Sequence, residues 1–592
     1  MSSRHLQSSL SRVEKTDQKL RGVRAGVFVA IAFSAFMASR PTAPSVWTLL
    51  ASAAILFFVV LIVVHQRLKD RLKIWRGRVA LEGQLEALSM LTPRPGHLVF
   101  SDLEFKDSHL VRDLDILGAS GFVSLFPFFI TSEGYRRFVR RLVEPPPSLS
   151  DVQARQQRVK FWERSRVLRR ALLRRSSTLE TVVNTEELQT LTAKALSALP
   201  ARGLYIRFAI IFAIQIVLVL AFPLGVKWLA TSALIAWLGA YVLFARDLDL
   251  LAAYPRAMQL GRSLRVMKEL VTRLQSVPGA DVAGGAGAMM GAAGPLPVLA
   301  RVEQAAGALG VRQNPLVAIL INVLGPWDFF WAIRMELARR DLEHRIGDWT
   351  AALAELEVDC ALAEWNRAHG VSWPEFTDDT GFGIDGRGVV HPLLSKKKRV
   401  ANDIRLARDQ RCHLVTGSNM AGKSTFLRSI GMNVIIAQAG AKVPAAALKL
   451  APIRVESSLR PSDSLADGFS SFYAEVSDLV DILKRAGAES GMTSLYLIDE
   501  IFRGTNNRER RIGAEAVIRA LAGTRAFGLV TTHDLDLSTL EGSVDGLRNH
   551  HFRDDVVDGV MTFSYEYKSG PCPSTNAIKV MVNAGLPVKG QI

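Results

Sequence analysis

Four strongly apolar runs stand out along the chain, and they come in two pairs. Residues 25–39 and 46–64 are joined by Arg40-Pro41-Thr42-Ala43-Pro44-Ser45, and residues 208–222 and 228–245 by Pro223-Leu224-Gly225-Val226-Lys227. The run 46–64 carries no charge over 19 residues. At about 1.5 Å per helical residue it nearly crosses a hydrocarbon core of roughly 30 Å. The run 25–39 is short, which leaves either a span or a re-entrant hairpin. The bland alternative for both pairs is burial inside a soluble core. A fifth apolar stretch, 315–333, contains Asn322, Pro326 and Asp328. A lipid-exposed Asp is costly, so this stretch reads as a packed or interfacial helix. Elsewhere up to residue 370 the pattern is helical: 65–200 broadly, one long amphipathic helix over 151–173, and long helices over 247–276 and 328–368. From about residue 371 short apolar runs alternate with helices, the pattern of an α/β domain.

Composition changes this picture in two ways. The chain has 592 residues with a formal net charge of +17, 49% hydrophobic residues and a mean hydropathy of +0.17. The hydropathy favours membrane segments. The charge fits a polyanionic partner, or simply basic flanks around spans. Arg21 and Arg24 precede the first pair; Arg67, Lys69, Arg71, Lys73, Arg76 and Arg78 follow it, and Arg202, Arg207 and Arg246 bracket the second. The turns carry only Arg40 and Lys227. The positive-inside rule puts both tips outside, and both termini and all large segments in the cytoplasm, as an integral, multi-pass membrane protein. A second apolar run follows the first at once, which argues against a cleaved signal peptide. Three scattered cysteines, Cys360, Cys412 and Cys572, exclude a disulfide framework and suit a reducing compartment. The stretch 279–294 is nearly all Gly and Ala and reads as a flexible linker. Five segments follow: 1–80 with the first hairpin, 81–200 as a helical core, 201–246 as the second hairpin, 247–370 as a helical lever region, and 371–592 as the α/β domain.

The chemistry concentrates in that last segment. Residues 411–416 read as a strand running into Gly417-Ser418-Asn419-Met420-Ala421-Gly422-Lys423-Ser424, followed by a helix over 423–439. Strand, glycine-rich loop and helix is the context a phosphate loop requires. The glycines let backbone N–H groups approach phosphates, and the helix adds the positive end of its dipole. Residues 417–425, Thr425 included, are therefore assigned to ATP binding. Lys423 is expected on the β- and γ-phosphates and Ser424 on Mg2+. Further on, Ser494-Leu495-Tyr496-Leu497-Ile498-Asp499-Glu500 is a buried strand ending in two acids. Asp499 fits the second Mg2+ partner, and Glu500 the general base for the attacking water. A third strand, 527–532, ends in His533, placed to sense the γ-phosphate.

Together these motifs resemble the MutS family of mismatch-repair ATPases, of the ABC-type superfamily. The Asn419-Met420 pair before the last glycine of the phosphate loop is similar to that family's version. So is the run Asp499-Glu500-Ile501-Phe502-Arg503-Gly504-Thr505. Gly468-Phe469-Ser470-Ser471-Phe472-Tyr473-Ala474-Glu475 resembles the signature loop, whose matching residue Ser470 would act in trans on ATP held by another subunit. The tail Ser574-Thr575-Asn576-Ala577-Ile578 with Ala584-Gly585-Leu586-Pro587 resembles the family's closing motif. Upstream the likeness is looser: Asp115-Ile116-Leu117-Gly118, Ser124-Leu125-Phe126 and 131–142 resemble the start of the helical core, and His391-Pro392-Leu393-Leu394 the strip entering the ATPase. The resemblance implies an ABC-type ATPase domain behind lever helices, a homodimer joined through the ATPase domains, ATP with Mg2+, and DNA as a partner. It departs at four places. No mismatch-reading domain with a Phe-x-Glu wedge is visible. Hairpins interrupt the lever region. Arg399 stands where the family stacks an aromatic ring on adenine. The chain ends at Ile592, before the helical dimerisation element expected there. Two functions follow. One is a membrane-anchored MutS-like ATPase on DNA, with Lys396-Lys397-Lys398-Arg399 either touching phosphates or forming a solvated loop. The other is a mechanochemical membrane ATPase with no nucleic acid ligand. Both use membrane lipid as a partner.

Overall fold

The computed structural model describes residues 3–573 except 39, 41–45, 94–107, 127–128, 147, 177–182, 196–199, 222–223, 248–249, 276–286, 291–293, 314–320, 323–324, 380, 419, 461–470, 489–491, 503–505 and 558–559. The first two helices, α1 (Ser3–Ala38) and α2 (Val46–Ser89), pack against each other and run far beyond the apolar runs that announced them. Their apolar ends point outward: Phe28, Val29, Leu49 and Leu56 are all more than half exposed. Their polar ends form a stalk. His65 Nε2 lies 2.9 Å from Asp17 Oδ1, both side chains buried, and Arg76 Nη2 donates to Glu14 Oε1 at 3.0 Å.

The helical region continues through α3 (His109–Asp113), α4 (Ser132–Val143), α5 (Leu149–Arg164), α6 (Arg166–Ser176) and α7 (Thr185–Ala193). The helix expected over 151–173 is thus two, broken at Ser165. Arg169 caps the break: it donates to the carbonyls of Trp162 and Glu163 beside it. The second hairpin is α8 (Ala201–Ala221) with α9 (Lys227–Asp247). Among the described residues, four helices are long and apolar enough to cross a membrane: His5–Ala38, Leu49–Ser89, Ala201–Ala221 and Lys227–Arg246.

Next come α10 (Leu250–Leu274), α11 (Leu296–Leu309), α12 (Trp327–Glu343) and α13 (Ile346–Ala368). The helix expected over 328–368 is also split, at His344 and Arg345. The α12 half buries Phe329, Ala332 and Ile333 against the second hairpin, with Tyr241 edge-on to Phe329 at 5.0 Å. Asp328 is buried there, as its charge demands. Gln215 of α8 donates to Asn322 O at 2.8 Å, so it faces a protein neighbour. The α13 half is almost wholly buried from Leu356 to Asn366, with Trp365 edge-on to Phe122 at 4.9 Å. Most of the Gly/Ala stretch lies outside the described residues, but Gly287–Met289 is a short 3-10 turn that buries Met289 completely, so that part is anchored.

From residue 375 the chain forms β1 (Glu375–Phe376), β2 (Phe382–Val389), β3 (Asn402–Ala407), β4 (Cys412–Thr416), β5 (Ala447–Leu450), β6 (Arg454–Ser458), β7 (Ser494–Ile498), β8 (Phe527–Thr532), β9 (Leu547–Val557) and β10 (Val560–Ser569). They make a four-stranded sheet, β1-β5-β2-β3, and a six-stranded one, β10-β9-β4-β8-β7-β6. The larger is parallel except for β10, which closes a hairpin with β9. Strands β4, β7 and β8 are buried at every position, as continuous apolar runs in a covered parallel sheet should be. Three more helices, α14 (Lys423–Gln438), α15 (Ser471–Ala486) and α16 (Asn507–Ala522), complete the domain. Helix α14 packs so closely that a Cβ on Gly431 would meet Leu497 of β7 at 2.8 Å and Leu114 of the helical region at 2.9 Å. One continuous hydrophobic core therefore joins the helical region to the sheet. The region before residue 370 is mostly helical, and the C-terminal region carries the mixed α/β sheets.

Candidate functional site: a phosphate loop facing an acid pair

The order of the central strands decides what meets at the site. Strand β8 lies between β4 and β7, so the residues leaving β8 stand between the loop after β4 and the acids after β7. Carboxyl ends of parallel strands are where ligands gather in such sheets.

The loop after β4 needs backbone shapes that only glycine takes easily. Gly417 has φ 137°, and a Cβ there would come within 2.5 Å of Phe552 O. Gly422, with φ 104°, caps the start of α14. Lys423 is 2% exposed, and its Nζ donates to Gly417 O at 2.6 Å and Ser418 O at 2.9 Å. Ser418 Oγ is buried without a partner. Met420 is exposed at the loop's tip, Ala421 is buried, and Ser424 and Thr425 follow in the first turn of α14. Asn419 lies outside the described residues.

Across from the loop, Asp499 is buried and Glu500 is half-buried. Thr531 of β8 ties the two together: its hydroxyl donates to Asp499 Oδ1 at 2.6 Å and accepts from Glu500 N at 2.9 Å. Glu500 has φ 56° and Phe502 φ 61°. Such left-handed geometry costs a non-glycine residue free energy and persists where its surroundings hold it. Glu475 of α15 supplies part of that hold by accepting from Phe502 N at 2.5 Å. His533 Nε2 stands 2.5 Å from Glu500 Oε1 and 3.5 Å from Lys423 Nζ. A carboxylate only accepts, so Nε2 carries the proton in this contact. The structure thus brings Lys423, His533, Glu500 and Asp499 to one edge of the sheet. Thr531 and Glu475 were not singled out in the sequence. A Thr at the end of a strand that is otherwise apolar was the available signal for the first.

Beside the loop opens a cavity of about 580 Å3 whose walls include His391, Arg399, Thr425 and Tyr565. Burial, then Arg428, pulls the His391 pKa down to about 4, so its ring is neutral. Its Nδ1 accepts from Leu393 N at 3.2 Å, leaving the proton on Nε2. Arg399 is turned onto its own loop, donating to Leu394 O at 2.6 Å and Pro392 O at 2.9 Å. Lys397 and Lys398 are exposed at the cavity's rim. Tyr565 of β10 lies over the loop, 3.0 Å from where a Cβ on Gly422 would stand.

A family model, MutS domain V, matches residues 413–590, which include β4 from His413 on, the loop, the acid pair and His533. The C-terminal portion of this chain belongs to the MutS family. Two similar curated proteins, from two strains of Thermus thermophilus, carry the name DNA mismatch repair protein MutS. Each is 35% identical over 263 residues, 44% of this chain. The matched stretch covers 31% of one and 30% of the other, so the chain spans about a third of the length of these relatives. Of the other MutS-like motifs, Ser470, Arg503 to Thr505 and the tail from Ser574 lie outside the described residues.

Proposed function

We propose that this chain is a membrane-anchored MutS-like ATPase, which binds ATP with Mg2+ in the loop 417–425 and hydrolyses it at a homodimer interface. The observation that carries the reading is the convergence of Lys423, His533 and Glu500 beyond the ends of three neighbouring strands, beside a cavity large enough for a nucleotide. The orphaned Ser418 Oγ and the glycine cradle fit a phosphate chain. Ser424 and Asp499 would hold Mg2+, which asks for only one or two protein oxygens beside substrate and water. When bound, the ion supplies charge neutralisation on the β- and γ-phosphates. Lys423, released from the loop carbonyls, binds those phosphates. Glu500 takes the proton of the attacking water, and His533 orients its carboxylate. Tyr565 offers the base an aromatic face where Arg399 does not. Ser470 completes the site of the opposite subunit. Glu500→Gln is expected to lower the hydrolysis rate at least about a hundredfold while ATP binding, followed by calorimetry, persists. Hydrolysis at the parent rate would remove Glu500 from its role.

The four apolar helices anchor the chain, with the termini and the ATPase domain in the cytoplasm, and lipid surrounds both hairpins. The proposed further partner is DNA, supported by the names of the relatives and the net charge of +17. A second reading, a mechanochemical ATPase without nucleic acid, draws on one observation: α12 packs on the second hairpin and leads directly into α13, which packs into the ATPase-side core.

A further inference from the structure

The faces of α4, α5 and α13 enclose a second cavity, of about 660 Å3, remote in sequence from the phosphate loop. Five arginines line it: Arg137, Arg140 and Arg141 from α4, Arg155 and Arg158 from α5. Three carboxylates, Glu144, Asp151 and Glu355, line it too, and Asp359 lies buried beneath. The acids do not use up the cations. Arg137, Arg141 and Arg158 share Glu355 and Asp359, at 2.5 to 3.4 Å. Arg141 is 3% exposed in its side chain and spends only Nη1 on those acids. Its Nε and Nη2 are buried without a partner. Arg155 has no carboxylate partner among the described residues and donates only to Gln438 O, at 3.1 Å. Burial, then repulsion from Arg141, pulls its pKa down to about 10. Burial works to raise Glu355, but Arg141, Arg137 and Arg158 hold its carboxylate below the usual range. The planar fork of arginine matches phosphate oxygens two at a time. The volume exceeds what one phosphate fills and suits a small molecule.

We propose that this cavity binds the phosphate chain of a small molecule, held by Arg155. The site bears on the ATPase by position. Gln438 is the last residue of α14, the helix that begins at Lys423, and a Cβ on Gly440 just beyond it would press within 2.8 Å of Arg155 Cβ.

The test uses the detergent-solubilised full chain carrying Lys423→Ala, so that the phosphate loop does not compete. Tripolyphosphate and ATP, each without Mg2+, are titrated by calorimetry. One binding event is expected, weakened roughly tenfold or more by Arg155→Gln and less by Arg155→Lys. Ala351→Glu, which places a carboxylate on the cavity wall and removes no native contact, is expected to weaken it as well, and it serves if Arg155→Gln lowers the melting temperature. Equal affinity for the two probes assigns the site to the phosphate chain alone, and tighter binding of ATP assigns it to a nucleotide. No event in the Lys423→Ala chain, or affinity unchanged in both Arg155→Gln and Ala351→Glu, overturns the proposal. Displacement of tripolyphosphate by duplex DNA, with DNA binding that depends on Arg155, overturns it in favour of a nucleic acid contact.

Discussion

Thr531 makes two hydrogen bonds, and both end on the acid pair. Replacing it with Val keeps the shape of a β-branched residue in β8 but removes the donor to Asp499 and the acceptor for Glu500 N. Each lost bond is worth about 1 kcal/mol. Thr531→Val is therefore expected to cut ATP turnover by roughly tenfold or more, with a smaller change in melting temperature; steady-state kinetics beside a thermal melt checks this. Glu357 makes a different prediction. Burial pushes its pKa up to about 8, against the hydrogen bonds it accepts from Thr131 and Ile130. The unfolded carboxyl ionises near 4.5. The folded state thus binds a proton that the unfolded state has lost, and this contribution is full below about 4.5 and gone above about 8. Melting temperatures of parent and Glu357→Gln, compared from pH 5 to pH 8, should diverge as the parent alone loses stability. Parallel curves would show that Glu357 does not titrate in this window. The phosphate loop and acid pair were legible because their residues are contiguous and their chemistry restricts the types allowed. Thr531, Glu475 and Tyr565 were not, since strand order and helix docking, rather than spacing, bring them to the site.

Among the elements, helical periodicity found the helices and missed their breaks. Ser165 and the pair His344-Arg345 contain neither Gly nor Pro, so nothing local announces an end. The reason is tertiary. Arg169 becomes worth more on the carbonyls of Trp162 and Glu163 and on Glu364, 2.7 Å away, than a continuous helix would be. That arginine is fully buried. Arg169→Met would leave the buried Glu364 with Arg367 alone, 3.6 Å away, a loss of about 3 kcal/mol. Denaturant unfolding should show a lower midpoint and an unfolding free energy reduced by that amount, whereas a loss below about 1 kcal/mol would show that the break does not depend on this pair. The first hairpin shows the same limit. Apolar runs located its apolar ends, but the polar stalk, joined by Asp17–His65 and Glu14–Arg76, follows from pairing between two helices and not from the composition of either.

For the whole molecule, the α/β segment from 371 and the helical region before it were readable from pattern. The single core joining them was not, because close approaches such as Gly431 to Leu114 leave no trace in periodicity. At this scale the two functional readings part. Duplex DNA added to the detergent-solubilised chain should bind with an affinity that falls steeply as salt rises. Absence of binding at low salt would leave the mechanochemical reading. Matched and mismatched duplexes measured side by side would test mismatch preference.

The helix α2 gives either reading a mechanical consequence. It is 44 residues long without a break, about 66 Å of helix. Its far end is pinned where His369, at the end of α13, donates to Leu88 O at 2.7 Å, with Leu81 and Leu88 sunk in the common core. A tilt of about 10° at that pin sweeps the opposite end through roughly 11 Å, over a third of a bilayer's hydrocarbon thickness. Under either proposed reading, a small rotation beside the candidate nucleotide site and a large lateral excursion of the apolar end would be one rigid motion.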